Sequence, residues 1–276
     1  MIELNGHQYK VALLDTNIVS DMLKDQHGFG RRLLSRIGFG DTIPSLTLYT
    51  IKEIQRSPGL YGSLLQFVAV VPTLILKTFT VLLDDEVGAY PTPSKVNPVL
   101  LSPLGIIPSE GLSRVQTLRE LFDSPDVAAR MKELEDGREA LLELFKTRSV
   151  EYREHGVRPT RKTIRAFGRA VCLDQLQASH PAWLKENSVT LDLDAFPSVK
   201  AMAYSVLIRY ASDARKPRLS DVLDVPIAGV LPYVDVAGIE SHQAEVLRKI
   251  GRMDPFLTHV DVFTIREIGG SPDKPD

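Results

Sequence analysis

The sequence predicts an α/β fold, a parallel sheet flanked by helices, with an inserted all-helical subdomain. Three observations lead there. Residues 11–14 (VALL) form a short apolar run closed by Asp15, as a buried parallel strand does where its carboxyl end releases the chain into a helix. The first ninety residues alternate strand-like and helix-like texture, the order that places helices over both faces of a sheet. Beyond a proline-dense crossing, the pattern becomes helical for about a hundred residues.

The elements follow in order. After the first strand, residues 17–23 have helical character. Residues 43–48, with Ser45 and Thr47 interleaved, suit a second strand, and residues 49–56 a helix stopped by Ser57-Pro58-Gly59. Residues 64–83 (LLQFVAVVPTLILKTFTVLL) match a membrane span in length, but Pro72 and Lys77 interrupt them. They read as a buried helix end followed by another core segment. The stretch with Pro91, Pro93, Pro98, Pro103 and Pro108 reads as a crossing loop with no regular element.

Residues 112–122, 127–147 and 160–177 then carry apolar side chains at helical spacing, for instance Met131, Leu134, Leu141, Leu142 and Phe145. Residues 198–215 are a further apolar helix. Ser220 reads as the cap of a helix from Asp221, and residues 234–236 and 259–265 read as strands. The expected division is a discontinuous sheet domain, 1–90 and 200–276, with a helical insertion at 91–199.

With 276 residues, 43% hydrophobic and 25% charged, the chain is neither disordered nor fibrous. A net charge of −2 supplies no general attraction for nucleic acid or an anionic membrane, so a polyanionic substrate requires a local basic patch. A single cysteine, Cys172, gives neither an internal disulfide nor a zinc-thiolate cluster. With no signal-like start, the expected location is the cytoplasm, with no membrane partner.

The chemistry sits in carboxylates. Asp15 ends an apolar strand, where a desolvated acid is costly unless cations or donors hold it. Capping the following helix with Thr16 and Asn17 beside it is the plain alternative. Later, SDVLDVPIAGVLPYVDVAGIES places Asp221, Asp224, Asp235 and Glu240 among apolar residues. With Asp224 in a first helical turn, Asp235 after a strand and Glu240 after the next turn, these acids are expected to converge at strand carboxyl ends, where open α/β sheets bind ligands. Oxygen donors without nearby Cys or clustered His favour Mg²⁺ or Mn²⁺ over zinc.

LLDTN at residues 13–17, Glu53 on the helix after the second strand, and Asp224 followed by LPYVD at 231–235 together resemble the PIN-domain nuclease family, over roughly residues 8–90 and 200–268. The resemblance implies Asp15, Glu53, Asp224 and Asp235 as an acidic catalytic quartet, with Thr16 or Asn17 as a polar auxiliary. It also implies metal-dependent hydrolysis of phosphodiester bonds, RNA preferred over DNA. Where many members carry a Thr-Asp pair, this chain has Ile239-Glu240, which keeps the charge on a longer side chain. The expected metal ligands are Asp15, Asp224, Asp235 and Glu240, with Mg²⁺ or Mn²⁺ polarising the phosphate and activating water.

For the substrate, Arg158, Arg161, Lys162, Arg165 and Arg169 fall at helical spacing and make a basic stripe suited to phosphate tracking, or simply a solvated helix face. Arg31, Arg32 and Arg36 form a second cluster close to Asp15 in sequence. The insertion has three candidate roles, a specificity element, a dimer surface or a lid, so a homodimer is one candidate partner. Small members of the resembled family serve as toxins held by an inhibitory protein, but this chain is about twice their length.

The chain lacks GxxxxGK[ST], GxGxxG after the first strand, HExxH and GxSxG, and its six histidines, among them His27, are scattered singly. A haloacid-dehalogenase phosphatase needs a second Asp where this chain has Asn17. The remaining alternative is a catalytically inactive PIN-like module that binds RNA or protein through its insertion.

Overall fold

β1 (Ile2–Leu4) and β2 (His7–Leu14) form an antiparallel hairpin, and the inner half of β2, Val11 to Leu14, is wholly buried. The expected strand at 11–14 is thus the buried half of a longer strand. Helices α1 (Thr16–Lys24) and α2 (Phe29–Ile37) return the chain to β3 (Thr42–Thr47), which pairs parallel to β2 and is buried at every position. Thr47 caps α3 (Leu48–Gln55) by accepting from Thr50 N at 3.2 Å. Next come α4 (Pro58–Val70), β4 (Leu74–Leu76) and α5 (Phe79–Ala89). The long apolar stretch is therefore a helix end, a central strand and a helix start. Among the described residues, no helix is long and apolar enough to cross a membrane.

The computed structural model describes residues 1–4, 6–24, 28–38, 40–108, 111–136, 138–212, 216–218 and 221–269. His27 and the cap residue Ser220 lie outside them, and so do the side chains of Met131 and Leu134.

The proline-dense crossing does hold a strand. β5 (Val99–Leu101) fits between Pro98 and Pro103 and pairs antiparallel to β4. It does so at the sheet's edge, where flanking prolines remove no bond from a second neighbour. Helices α6 (Arg114–Phe122), α7 (Pro125–Asp136), α8 (Arg138–Glu154), α9 (Arg161–Ser179), α10 (Pro181–Asn187) and α11 (Pro197–Leu207) follow. The π-helical turn Ile208–Ser212 then leads towards α12 (Asp221–Ala228), β6 (Val236–Gly238), α13 (Ser241–Met253) and β7 (Asp261–Phe263).

The sheet order is β5-β4-β3-β2-β6-β7, with β1 on β2, and β2, β3, β4, β6 and β7 are parallel. From β2 the chain winds outward to β3 and β4, then returns to add β6 on the other side. The connections therefore diverge between β2 and β6, the point where open parallel sheets form a crevice beyond the strand ends.

One core holds Ala12, Leu14, Leu46 and Ile75 under α1 to α4, and α6 adds Leu118 and Phe122 to it. The opposite core holds Val11, Leu13, Leu74 and Leu76 with α5, α11 and α13, and α9 adds Ile164, Cys172 and Leu176. Gly168 lets α9 settle on α11, since a Cβ there would lie 2.8 Å from the Tyr204 ring and 3.0 Å from Leu193. A smaller cluster joins Phe145 of α8 to Tyr210, Val222 and Val225. Helices α6, α9 and α11 are thus built into the two faces of the sheet, while α8 packs in the smaller cluster.

Candidate carboxylate site

Asp15 follows directly on β2, and its backbone N–H donates to Gly238 O of β6 at 2.9 Å, which fixes it beside the divergence of the connections. Its Oδ1 accepts from Thr16 N at 2.7 Å. The Thr16 hydroxyl donates a short hydrogen bond to Glu53 Oε2, tying the start of α1 to α3. Asn17 is exposed on the same turn. Glu240 follows the end of β6 and stands at the N-cap position of α13. Of the auxiliary pair, Thr16 therefore contacts a site acid.

Asp224, in the first turn of α12, reaches the same region. Burial and the Asp224 charge push the Asp15 carboxyl up to about 8, and Glu53 and Glu240 push in the same direction. Asp15, Glu53, Asp224 and Glu240 therefore form one electrostatic group at the carboxyl edge of the sheet, in the crevice the topology predicts. Burial also raises Asp224 from its ordinary value, with Arg209 opposing the shift.

Arg209 was not singled out in the sequence. It lies in the π-helical turn after α11, fully buried, with Nη1 2.7 Å from Asp221 Oδ1 and 3.0 Å from Asp224 Oδ2, while Nη2 donates to Gln243 Oε1. Asp221 is engaged again by Arg218 N, which donates to Oδ2 at 2.8 Å. Gln243, almost fully buried on α13, has an amide nitrogen with no hydrogen-bond partner in the described structure. The one sequence signal for Arg209 is an arginine inside the apolar run SVLIRYA.

Asp235 requires correction. Residues 231–233 form a 3-10 turn, and the strand is Val236–Gly238, so Asp235 precedes β6 instead of following a strand. Its backbone pairs with Val11, and its Oδ2 accepts from Val11 N at 2.9 Å and lies 3.0 Å from the Met1 ammonium. It sits at the amino edge of the sheet, the length of β6 away from Asp15, and leaves the candidate catalytic and metal sets.

The basic stripe is also at that amino edge. Arg165 pairs with Asp194 at 3.1 Å and Asp254 at 3.5 Å, and Arg169 donates to Leu191 O at 2.7 Å. Arg158, Arg161 and Lys162 are exposed. Arg161 and Arg165 line a cavity with Lys200, Asp254 and Phe256, next to Pro232 and far from Asp15. Arg36 is bound by Asp261 at the start of β7, and Arg32 donates to Ile268 O and Gly269 O. Neither cluster flanks the carboxylates. Lys216 and Arg218, just before α12, are exposed, and the Arg218 backbone touches Asp221.

Among the described residues, no three His, Cys, Asp or Glu side chains come together closely enough to hold a metal ion by themselves. That excludes a closed all-protein cage. It leaves room for Mg²⁺, which is commonly held by one or two carboxylates together with water and substrate phosphate oxygens. The donors are oxygens only, and burial first, then the neighbouring acids, hold the Asp15 carboxyl up at about 8.

Comparison with protein-family models, with curated proteins and with solved structures finds no match.

Proposed function

We propose that the protein is a metal-dependent nuclease that hydrolyses phosphodiester bonds, RNA preferred, at the carboxylates around Asp15. The observation that carries the reading is Asp15 itself, pushed up to about 8 where Asp224, Glu53 and Glu240 surround it at the crevice of a parallel sheet. The α/β sheet is compatible with the PIN-like fold that the sequence resembles, and the preference for RNA rests on that resemblance. We take residues 91–199 as an elaboration of this fold that shares its two cores, so limits at residues 90 and 200 divide the chain without dividing the hydrophobic interior.

Asp15 and Asp224 are the residues that would hold Mg²⁺ or Mn²⁺, with Glu53 and Glu240 in its water shell; the ion when bound polarises the phosphate and lowers the pKa of an attacking water. The chain's own contribution is placement. The Asp15 N–H to Gly238 O bond holds Asp15 at the strand ends, the Thr16 hydroxyl orients Glu53, and Arg209 orients Asp224. Lys216 and Arg218 supply positive charge on the approach to these acids.

A second reading, a PIN-like module that binds RNA or protein without cutting, is favoured by two observations: Asp224 is already paired with Arg209, and among the described residues no three acids come close enough to hold a metal ion. Cleavage of labelled single-stranded RNA, with DNA in parallel, separates the two. Wild type, Asp15→Asn and Asp224→Asn are each assayed with Mg²⁺, Mn²⁺ or EDTA. Cutting by wild type with metal alone, lost in both folded variants, supports the nuclease. Uncut RNA under every condition, with no metal bound, supports the module.

A further inference from the structure

We propose that the cavity beside Phe256, at the amino edge of the sheet, binds a small organic phosphate monoester, its phosphate on Arg161 and Arg165 of α9 and its organic part against a wall of prolines. This site is separate from the carboxylates and does not rest on the nuclease reading. The cavity has a volume of about 430 Å³, within the range that encloses a single small molecule. Pro93, Pro197, Pro232 and Pro255 line it, each in the first turn of a helix or 3-10 turn. A proline has a fixed φ and no N–H, so these walls are preset in shape and add no backbone donor of their own. Polar recognition falls to the side chains.

Those side chains leave a surplus of positive charge. Lys200 is almost fully buried, its Nζ 2.6 Å from Asp194 Oδ1, 2.9 Å from Asp254 Oδ2 and 4.2 Å from the centre of the Phe256 ring. It screens two acids that would otherwise repel an anion. Arg165 spans the same acids, 3.1 Å from Asp194 and 3.5 Å from Asp254, which fix its guanidinium while leaving further N–H groups of the fork for a ligand. Arg161, one turn earlier on the same face of α9, is exposed and has no acidic partner among the described residues. Three cations thus share one cavity with two acids, and α9 begins at Arg161, which brings the positive end of its dipole to the same wall. A carboxylate is satisfied by one guanidinium fork, whereas a phosphate monoester offers three oxygens and close to two charges, enough for both. A diester inside an RNA chain has only two free oxygens and one charge and suits the pair less well.

Isothermal titration calorimetry on the full chain in EDTA tests this, with adenosine 5′-monophosphate, inorganic phosphate and adenosine as probes. Wild type is expected to bind the nucleotide, to bind inorganic phosphate more weakly and to leave adenosine unbound. Arg161→Ala, at an exposed position, is expected to fold and to lose about tenfold or more in affinity for the nucleotide. Arg165→Lys, which keeps the charge and gives up the fork, should weaken it as well. Lys162→Ala, beside Arg161 in sequence but outside the cavity lining, is expected to bind as wild type does. A wild type that binds no nucleotide at millimolar concentration, or binds inorganic phosphate as tightly, overturns the inference. So does an Arg161→Ala protein with undiminished affinity, or an equal loss in Arg161→Ala and Lys162→Ala, which would mark a diffuse basic face in place of a site.

Discussion

If the acids around Asp15 exist to receive a cation, then in its absence they must destabilise the fold, and removing the Asp15 charge should make the protein more stable. The Asp15 carboxyl is held at about 8 against an ordinary value of 3.8. A folded-state value above the unfolded one means that stability is fully present below pH 4 and is lost as pH rises towards 8. At pH 7 the gap amounts to about 4 kcal/mol, at 1.36 kcal/mol for each pH unit between 3.8 and 7. Relaxation and water entry reduce this, so Asp15→Asn, which keeps an acceptor for Thr16 N, should stabilise by about 2–4 kcal/mol. In thermal unfolding with EDTA that is roughly a 5–10 °C rise in Tm at pH 7. The advantage should fall to about 1 kcal/mol at pH 4.5, where both states of the wild type hold the proton more equally. Mn²⁺ should narrow it at pH 7 by stabilising wild type and not the variant. An Asp15→Asn protein no more stable than wild type at pH 7, or equally favoured at both pH values, would refute the argument that this carboxyl is held against its own charge.

Three further predictions separate the two edges of the sheet. Glu86 is fully buried, accepts from Ser198 N, Ser198 Oγ and Tyr233 OH, and is pushed up to about 7 by burial. Its contribution to stability is therefore lost as pH rises from about 4.5 through 7, and Glu86→Gln should gain on wild type by up to about 3 kcal/mol across that range in urea unfolding. Asp235→Asn should leave nuclease activity within twofold of wild type and lower stability by about 1 kcal/mol, because its acceptor role towards Val11 N is kept in weakened form. In fluorescence titrations with single-stranded RNA, Lys216→Ala with Arg218→Ala should weaken binding and flatten its salt dependence, whereas Arg161→Ala with Lys162→Ala should do neither.

What the sequence made legible depends on how local each signal was. Asp15 was readable because VALLD carries its whole environment in five consecutive residues: a buried strand, its end, and the acid. Asp224 was readable from its place in a first helical turn and Glu53 only from the resemblance, and the structure brings both to Asp15. Asp235 was misplaced because LPYV is apolar enough to pass for a strand, yet Pro232 sits in a 3-10 turn and the strand begins only at Val236. That shift moves the acid to the opposite edge. β5 was hidden by its prolines, which an edge strand tolerates. Arg209 was hidden because its partners lie 12 and 15 residues further on, across a loop, a separation without periodicity. The basic stripe was correctly helical, but its neighbours Asp194 and Asp254 come from distant segments, so sequence spacing alone could not show that part of it was neutralised.

The distribution of charge over the sheet is what ties these observations to function. At the amino edge acids and bases are matched: Asp261 holds Arg36, Asp254 and Asp194 hold Lys200 and Arg165, and Asp235 faces the Met1 ammonium. Such an edge is balanced without any ligand. At the carboxyl edge, among the described residues, Asp15, Glu53 and Asp224 have one cationic partner, Arg209, and Asp15 carries the cost. A chain folding for stability alone has no reason to gather acids where two parallel connections diverge, since a neutral side chain at Asp15 would remove the penalty and keep the hydrogen bond to Thr16. On the proposed function the placement makes physical sense: positive charge arriving from outside, as a divalent ion, would offset the burial and repulsion that hold the Asp15 carboxyl up. On this argument the stability gained by Asp15→Asn and the metal binding it loses have one cause, and the two should scale together across substitutions at Asp15, whereas Asp224→Asn, which weakens the buried pair with Arg209, should lose stability as well.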